Sequence, residues 1–521
     1  MTWRNLVSAG VVVGLCGGAL AAGTALQSDS GGQVGEADAR LREFMRSALA
    51  VCPAERTPDD QVLVAAASLP GIPGQDVPGT VAIRAGERSL SSIAKPGATA
   101  AVTQVPPAGD LTVEAEGGLA PGLVTGVVTS DSRGEGRGLQ SAPCVTSAAE
   151  SWFMGGGATA GDRSVLLLSN PTQSDSLVDI TAFSKGGQLD VRGDDGVTVP
   201  AGETVPVRLE ALVPDTEAVA VRVRTRTGLI AASLTAERMN GLTPMGTELG
   251  VDAGPARRTV VLSGMPGGAG GRELRLLATE GSGSVRITAL TENGPLPLLA
   301  GEQVPLKKGN LTVFDITDEL AGRAAALRIS GDVAFIAESS ATTAVDESIK
   351  AKRAAAVAAA ERALKEAKGD AERAEAETAL TKAETANAIE PGEDFAWFGQ
   401  APAIAGTTAV TALDAELDTT VLLTGTGGDA TVDVALLPAA QSGTKPKAGR
   451  TIQVTDDTTV AVPIRPPGPG TYTAVITRTA GPGEVHVGHV QLDDGQSLTG
   501  YAASPLRVWI PTTAATPNYA P

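Results

Sequence analysis

The sequence predicts a mainly β protein: tandem antiparallel β-sandwich domains of immunoglobulin-like type, led by an N-terminal transmembrane helix and interrupted by an inserted α-helical hairpin. Three observations carry this. The 521 residues include 63 Gly and 33 Pro, and only 3% are aromatic against 42% hydrophobic, so cores must be built from Val, Leu, Ile and Ala in a chain that turns often. Runs such as Ala218-Val-Ala-Val-Arg-Val-Arg224 alternate apolar and other residues, which gathers the apolar ones on one face of a strand. Runs of this kind recur between Gly/Pro turns in groups of domain size, in a chain long enough for several separate cores.

Residues 1–27 form the N-terminal segment. Arg4 precedes an uncharged run from Leu6 to Leu26, and at about 1.5 Å per helical residue this run matches a hydrocarbon layer about 30 Å thick. Positive-inside logic then gives a single-pass cell-membrane protein with its N-terminus in the cytoplasm and its bulk outside. The small-x-small site Ala19-Leu20-Ala21 offers the alternative of a cleaved signal segment and a secreted chain.

Residues 28–148 read as a linker, a short helix and a first β region. Leu41, Phe44, Met45, Ala48 and Leu49 fall at helical spacing within Ala37–Ala50, and strand-like runs follow from Val62 to Val128. Cys52 and Cys144 are a disulfide candidate that would tie this region to the next domain, with two unpaired buried thiols as the alternative. Residues 149–250 form the first clear sandwich unit. It opens on Ser151-Trp-Phe-Met-Gly-Gly-Gly157, whose glycines read as a flexible lead-in to the strand Arg163–Ser169 and the Asn170-Pro171 turn.

Residues 251–343 repeat that plan as a second unit. Residues 344–392 abandon it: Ala, Glu, Lys and Arg dominate with almost no Gly or Pro, and Gly369-Asp370 breaks the run into an αα-hairpin. Its thin stripe of small apolar residues suits a solvated spacer, with a partner-binding coiled coil as the competing reading. Residues 393–521 form a third unit, whose prelude Phe395-Ala-Trp-Phe398 echoes Ser151-Trp-Phe153. Units of this length in succession predict beads on a string.

Few residues suggest chemistry. The chain has two histidines; His486 and His489, three apart on one strand, face opposite sides of a sheet and cannot share a metal ion without a bulge, such as one at Gly488. The Gly155-Gly-Gly157 cluster lacks the Lys-Ser/Thr and the helix of a phosphate loop. The sequence therefore assigns no catalytic residue, no cofactor and no metal site. Three scarce aromatics, Trp152, Trp397 and Tyr501, are candidates for stacking a ligand such as a sugar; burial in the sandwiches is the alternative. A formal net charge of −18 argues against nucleic acid as a partner.

The stretch Ala142-Pro-Cys-Val-Thr-Ser-Ala-Ala-Glu-Ser-Trp-Phe-Met-Gly-Gly-Gly157, followed by Gly161-Asp-Arg-Ser-Val-Leu-Leu-Leu-Ser-Asn-Pro171 and Val197-Thr-Val-Pro-Ala-Gly202, resembles a family of actinobacterial envelope proteins, membrane-anchored or secreted, catalogued as a domain of unknown function of the large secreted protein type. The resemblance is most specific from Cys144 to Arg238, and the helical segment 346–388 departs from it. It implies an amino-terminal membrane segment, an extracytoplasmic β-rich body and no established activity, and leaves open a role in envelope assembly.

The expectation is thus a non-enzymatic structural or interaction protein of the cell envelope, held to the membrane by its N-terminal helix, with envelope proteins or cell-wall glycans as partners. One alternative is a glycan-binding accessory module for cell-wall polymer enzymes, using an exposed Trp152, Trp397 or Tyr501. Another is a hydrolase with a carboxylate-lined cleft between two units.

Overall fold

A computed structural model describes residues 43–53, 61–103, 105–106, 110–131, 136–192, 196–344, 348–387, 393–439, 447–466, 468–493 and 497–509. The chain divides into two units, one formed by its ends (Met1–Phe44 with Trp509–Pro521) and one spanning Met45–Val508. In the first, Phe44 and Trp509 form a β-bridge and stack with ring centroids 4.2 Å apart. Everything below concerns the second.

Its strands run β1 (Ser47–Cys52), β2 (Gln61–Ser68), β3 (Gly79–Ala85), β4 (Arg88–Ile93), β5 (Ala98–Val102), β6 (Leu111–Gly117), β7 (Leu123–Asp131) and β8 (Gly138–Ala142). Sheet β1-β6-β3-β4 faces sheet β5-β2-β7-β8 across a core that includes Val64, Ile83, Val113 and Val127. The alternation read in Gly79–Ala85 and Leu111–Ala115 is what sends Val81, Ile83, Val113 and Ala115 inward. This region is a complete eight-stranded sandwich.

The same strand order then recurs three times. In the second repeat, β9 (Glu150–Thr159), β10 (Asp162–Ser169), β11 (Ser176–Ser184), β12 (Gly187–Leu189), β13 (Val197–Val199), β14 (Thr204–Arg208), β15 (Thr216–Thr227), β16 (Ala231–Asn240) and β17 (Thr243–Gly250) give β9-β15-β11-β12 opposite β14-β10-β16-β17, with β13 added beside β11. In the third, β18 (Arg257–Met265), β19 (Arg272–Ala278), β20 (Gly283–Thr291), β21 (Gly294–Pro297), β22 (Val304–Leu306), β23 (Leu311–Asp315), β24 (Ala325–Thr342) and β25 (Phe395–Phe398) repeat it. There the 18-residue β24 serves as both sixth and seventh strand: its first half pairs with β18 and β20, its second with β19 and β25. The fourth comprises β26 (Thr407–Asp414), β27 (Asp418–Thr426), β28 (Ala430–Pro438), β29 (Lys447–Val454), β30 (Thr459–Ile464), β31 (Thr471–Ala480), β32 (Glu484–Asp493) and β33 (Ser497–Ala502), in the order β26-β31-β28-β29 opposite β30-β27-β32-β33.

Several expectations change. Among the described residues no helix is long and apolar enough to cross a membrane; the two long helices, Ser348–Glu366 and Asp370–Asn387, are studded with Glu, Lys and Arg. The membrane-spanning or secreted placement is therefore withdrawn, and Leu6–Leu26, on which it rested, lies outside the described residues. The helix expected over Ala37–Ala50 is replaced, where described, by β1, because Ala48, Leu49 and Ala50 find antiparallel partners in Ala115, Glu114 and Val113.

The Cys52–Cys144 disulfide is present. It closes the first repeat on itself instead of tying it to the next, since both cysteines border one core. The helical hairpin is an insertion between the seventh and eighth strands of the third repeat: Phe395–Phe398 pairs with Ser339–Thr342 and so completes that repeat. The third sandwich unit expected from 393 accordingly starts at β26.

Nor are the repeats beads on a string. Each buries apolar surface against the next, and the fourth against the first. Leu249 of the second enters the core of the first, and Phe395 and Trp397 of the third enter that of the second. Trp152 and Met154 of the second meet Leu277 and Ile336 of the third, and Phe398 of the third meets Leu422 and Val490 of the fourth. Leu63, Val128 and Leu139 of the first meet Ala412 of the fourth. Four sandwiches thus close into a ring.

Candidate functional site

The eighth strands, β8, β17, β25 and β33, pack side by side where the repeats converge. Two carboxylates sit there, fully buried, in a chain whose acids are otherwise mostly on the surface: Glu248 in β17 and Asp394 immediately before β25. Asp394 Oδ2 accepts from the Leu139 amide (2.9 Å) and the Leu498 amide (3.0 Å), and its Oδ1 accepts from the Phe395 amide (2.9 Å) and the Thr247 amide (3.3 Å). One side chain of the third repeat therefore engages main chain from each of the other three. Glu248 Oε1 accepts from the Ser141 amide (3.1 Å) and the Leu249 amide (2.8 Å), while Thr499 Oγ1 lies 2.9 Å from its Oε2.

Backbone strain is avoided at the crossing by glycine. Gly246 has φ +105°, and a Cβ there would run into Asp394. Burial drives both carboxyls upward, Asp394 to about 8 against the pull of its four amides; Glu248 also rises, through burial first and then the neighbouring Asp394, although its amide and hydroxyl partners oppose this. With both Asp394 oxygens taken up by main-chain donors, the arrangement clamps strands of all four repeats together.

A second buried polar group joins the second and third repeats. Arg275 Nη1 donates to the Met154 carbonyl (2.9 Å) and its Nε to Glu273 Oε1 (2.6 Å). Its cross-strand partner Glu338 is pushed up to about 8 by burial, against the pull of Arg275 and Arg238. Arg238 lies over the Phe395 ring, 4.1 Å from its centroid, and 3.8 Å from Asp162 Oδ2.

The three aromatics singled out for ligand stacking are not brought together, and each is buried, which corrects their expected role. Trp152 is 7% exposed, donates through Nε1 to Glu150 (2.9 Å), stacks on Phe183 and carries Arg222 over its face. Trp397, 4% exposed, fills the core of the second repeat. It explains the glycine run: a Cβ on Gly155 would collide with its indole, so the run is close packing and not a hinge. Tyr501, 4% exposed, packs edge-on against His489. The two histidines part as expected: His486 Nδ1 meets the Ala401 carbonyl (2.6 Å) and His489 Nδ1 the Tyr501 carbonyl (3.1 Å).

Among the described residues no three His, Cys, Asp or Glu side chains are placed to hold a metal ion. A cleft between the first and second repeats, bordered by Cys52, Asp110, Ser169 and Ser233, encloses about 40 Å³, far below the few hundred Å³ of a typical ligand site. Sequence reasoning missed Glu248, Asp394 and Glu338. The one available signal was a single acid inside an otherwise uncharged strand, as in Gly246-Thr-Glu-Leu-Gly250.

Residues 91–390, more than half of the chain, match a family described as "Family of unknown function (DUF5719)". No curated protein matches the chain. A solved GH78 family rhamnosidase of Bacillus sp. GL1 aligns at 9% identity and a TM-score of 0.11, over 69% of this chain and 54% of that one. The chain thus spans about half the length of that enzyme, and a likeness so slight carries no argument about activity.

Proposed function

The chain belongs to the DUF5719 family of unknown function, and we propose that it is a non-enzymatic structural or interaction protein, a closed scaffold of four sandwiches whose outer surface is its working part. The observation that carries this is the crossing of the four eighth strands, where buried carboxylates are spent on main-chain amides of neighbouring repeats. Buried groups used in this way fix one arrangement of domains. The scarce aromatics support the same reading, since they fill cores and joints. Support of envelope assembly in an actinobacterium, with envelope proteins or wall glycans on the outer surface, is the finer form of the proposal. The unit shares with an immunoglobulin-like sandwich the pairing of the second strand with the fifth and of the third with the sixth, and departs from it in placing the first strand beside the sixth and the seventh beside the second.

The test is affinity capture with the purified full chain against envelope proteins and wall polysaccharides, run beside hydrolysis assays on the same glycans. Retention of a defined partner without turnover supports the scaffold. Turnover that follows the purified chain overturns it.

A further inference from the structure

The interior of the fourth repeat holds a group of polar atoms that its fold does not use. Thr419 in β27 and Gln491 in β32 are direct antiparallel partners, 4% and 0% exposed. They share the inward face with Val421 and Val487, which line the core of that repeat. His489, fully buried, follows at the next inward position of β32, opposite Val421. Thr419 Oγ1, both Gln491 amide atoms and His489 Nε2 have no hydrogen-bond partner among the described residues. Each such atom loses its hydrogen bonds to water without replacement, and native interiors leave few of them. Four on adjacent positions of one face need an explanation.

Their chemistry is complementary. Directly opposed residues of an antiparallel pair hold their Cβ atoms about 4.5–5.5 Å apart, a span that the chain Cβ–Oγ1–Cδ–Cγ–Cβ can bridge. His489 Nδ1 lies 3.1 Å from the Tyr501 carbonyl oxygen, which can only accept, so Nδ1 carries the ring proton and Nε2 presents a lone pair. We propose that Thr419 and Gln491 are joined by an intramolecular ester, formed within the folded fourth repeat with His489 as the base.

Thr419 Oγ1 attacks the Gln491 carboxamide carbon, Cδ, as its proton passes to His489 Nε2. The tetrahedral adduct then collapses: the Cδ–N bond breaks, the proton moves from His489 to the departing nitrogen, and ammonia leaves. One Oγ1–Cδ bond replaces one Cδ–N bond, His489 is restored, and no oxidant, reductant or cofactor is consumed. Burial holds His489 near a pKa of about 4, which keeps it an unprotonated base at neutral pH and keeps water from the ester. The link would join the second and seventh strands of the last repeat, the two central strands of the sheet that ends in β33. It stands independently of the scaffold reading, because capture of a partner and the mass of the chain are separate measurements.

The experiment is mass spectrometry of the full chain after reduction of the disulfide, with peptide mapping. The expected result is a mass lower by one ammonia and a branched peptide joining the segment around Thr419 to that around Gln491, split by hydroxylamine into a Gln491 hydroxamate and free Thr419. Thr419→Ala and Gln491→Ala should each abolish the branched peptide, and Thr419→Ser should retain it. His489→Gln should slow its formation about 10²-fold or more, the usual contribution of a positioned base. Recovery of both segments as unmodified linear peptides from folded full-length protein overturns the proposal, even if no variant folds.

Discussion

Replacing Asp394 by Asn tests the crossing most directly, because the change is nearly isosteric and alters only what the two outer atoms can do. Above about pH 8, where the Asp394 carboxyl is ionised, both atoms are acceptors, each meeting two main-chain amides at 2.9–3.3 Å. In Asp394→Asn one atom becomes an NH2 donor facing two N–H groups that have lost their acceptor. Two buried donors left unpaired cost about 1–3 kcal/mol each, so the expected loss is about 2–6 kcal/mol. Relief of the cost of burying a carboxyl offsets part of it. Urea denaturation followed by tryptophan fluorescence should show a lower midpoint with an unchanged slope. Since the amides come from four repeats, limited proteolysis should also reveal earlier cutting in the connections between them. An Asn variant within about 0.5 kcal/mol of the parent would refute the claim that Asp394 holds the ring.

Other predictions rest on single features. The Glu338 carboxyl has a folded pKa of about 8 against an ordinary 4.5; a raised value means its contribution is complete below about pH 4.5 and is lost as pH rises through 8, up to about 5 kcal/mol. Denaturation between pH 5 and 9, roughly the range where this group changes state, should show stability falling as pH rises, and Glu338→Gln should flatten that fall. Removing the disulfide by Cys52→Ala with Cys144→Ala opens a link between residues 92 apart and should cost about 4–5 kcal/mol, read as a lower melting temperature that a reductant no longer changes. Gly155→Ala places a methyl group against the Trp397 indole and should cost about 1–3 kcal/mol, with a shift in tryptophan emission as the local marker. Replacing residues 345–392 with a short Gly/Ser turn should leave the melting temperature nearly unchanged, because the helical hairpin buries little beyond Ile349 and Ala376 and its base is already closed by Thr343 and Asp394.

How far these features could be read in advance depended on their range along the chain. Alternation in Ala218–Arg224 or Gly79–Ala85 is set by neighbours two residues away, so those strands were legible. So was the helical hairpin, from its Ala, Glu and Lys content. The division into repeats was less so. Phe395-Ala-Trp-Phe398 looks like a domain opener because it resembles Ser151-Trp-Phe153, yet one segment is an eighth strand and the other a first; composition does not say which partner a short apolar strand will find. The crossing was invisible, since Ser141, Glu248, Asp394 and Thr499 are far apart in sequence and only ring closure makes them neighbours. Trp152, Trp397 and Tyr501 stand out by their scarcity alone, and whether an aromatic faces solvent or a neighbouring sandwich is a tertiary matter.

Ring closure also bears on how such a chain comes into being. The first repeat borrows Leu249 and the second borrows Phe395 and Trp397, so each emerging sandwich waits on chain that has not yet been synthesised. Asp394 in turn waits for the Leu498 amide, almost at the end of the described sequence. The crossing would therefore stay incomplete until the last repeat arrives, and a product truncated before β33 would leave Asp394 and Glu248 without their partners Leu498 and Thr499. The joints between repeats are therefore the last part of the structure to be completed.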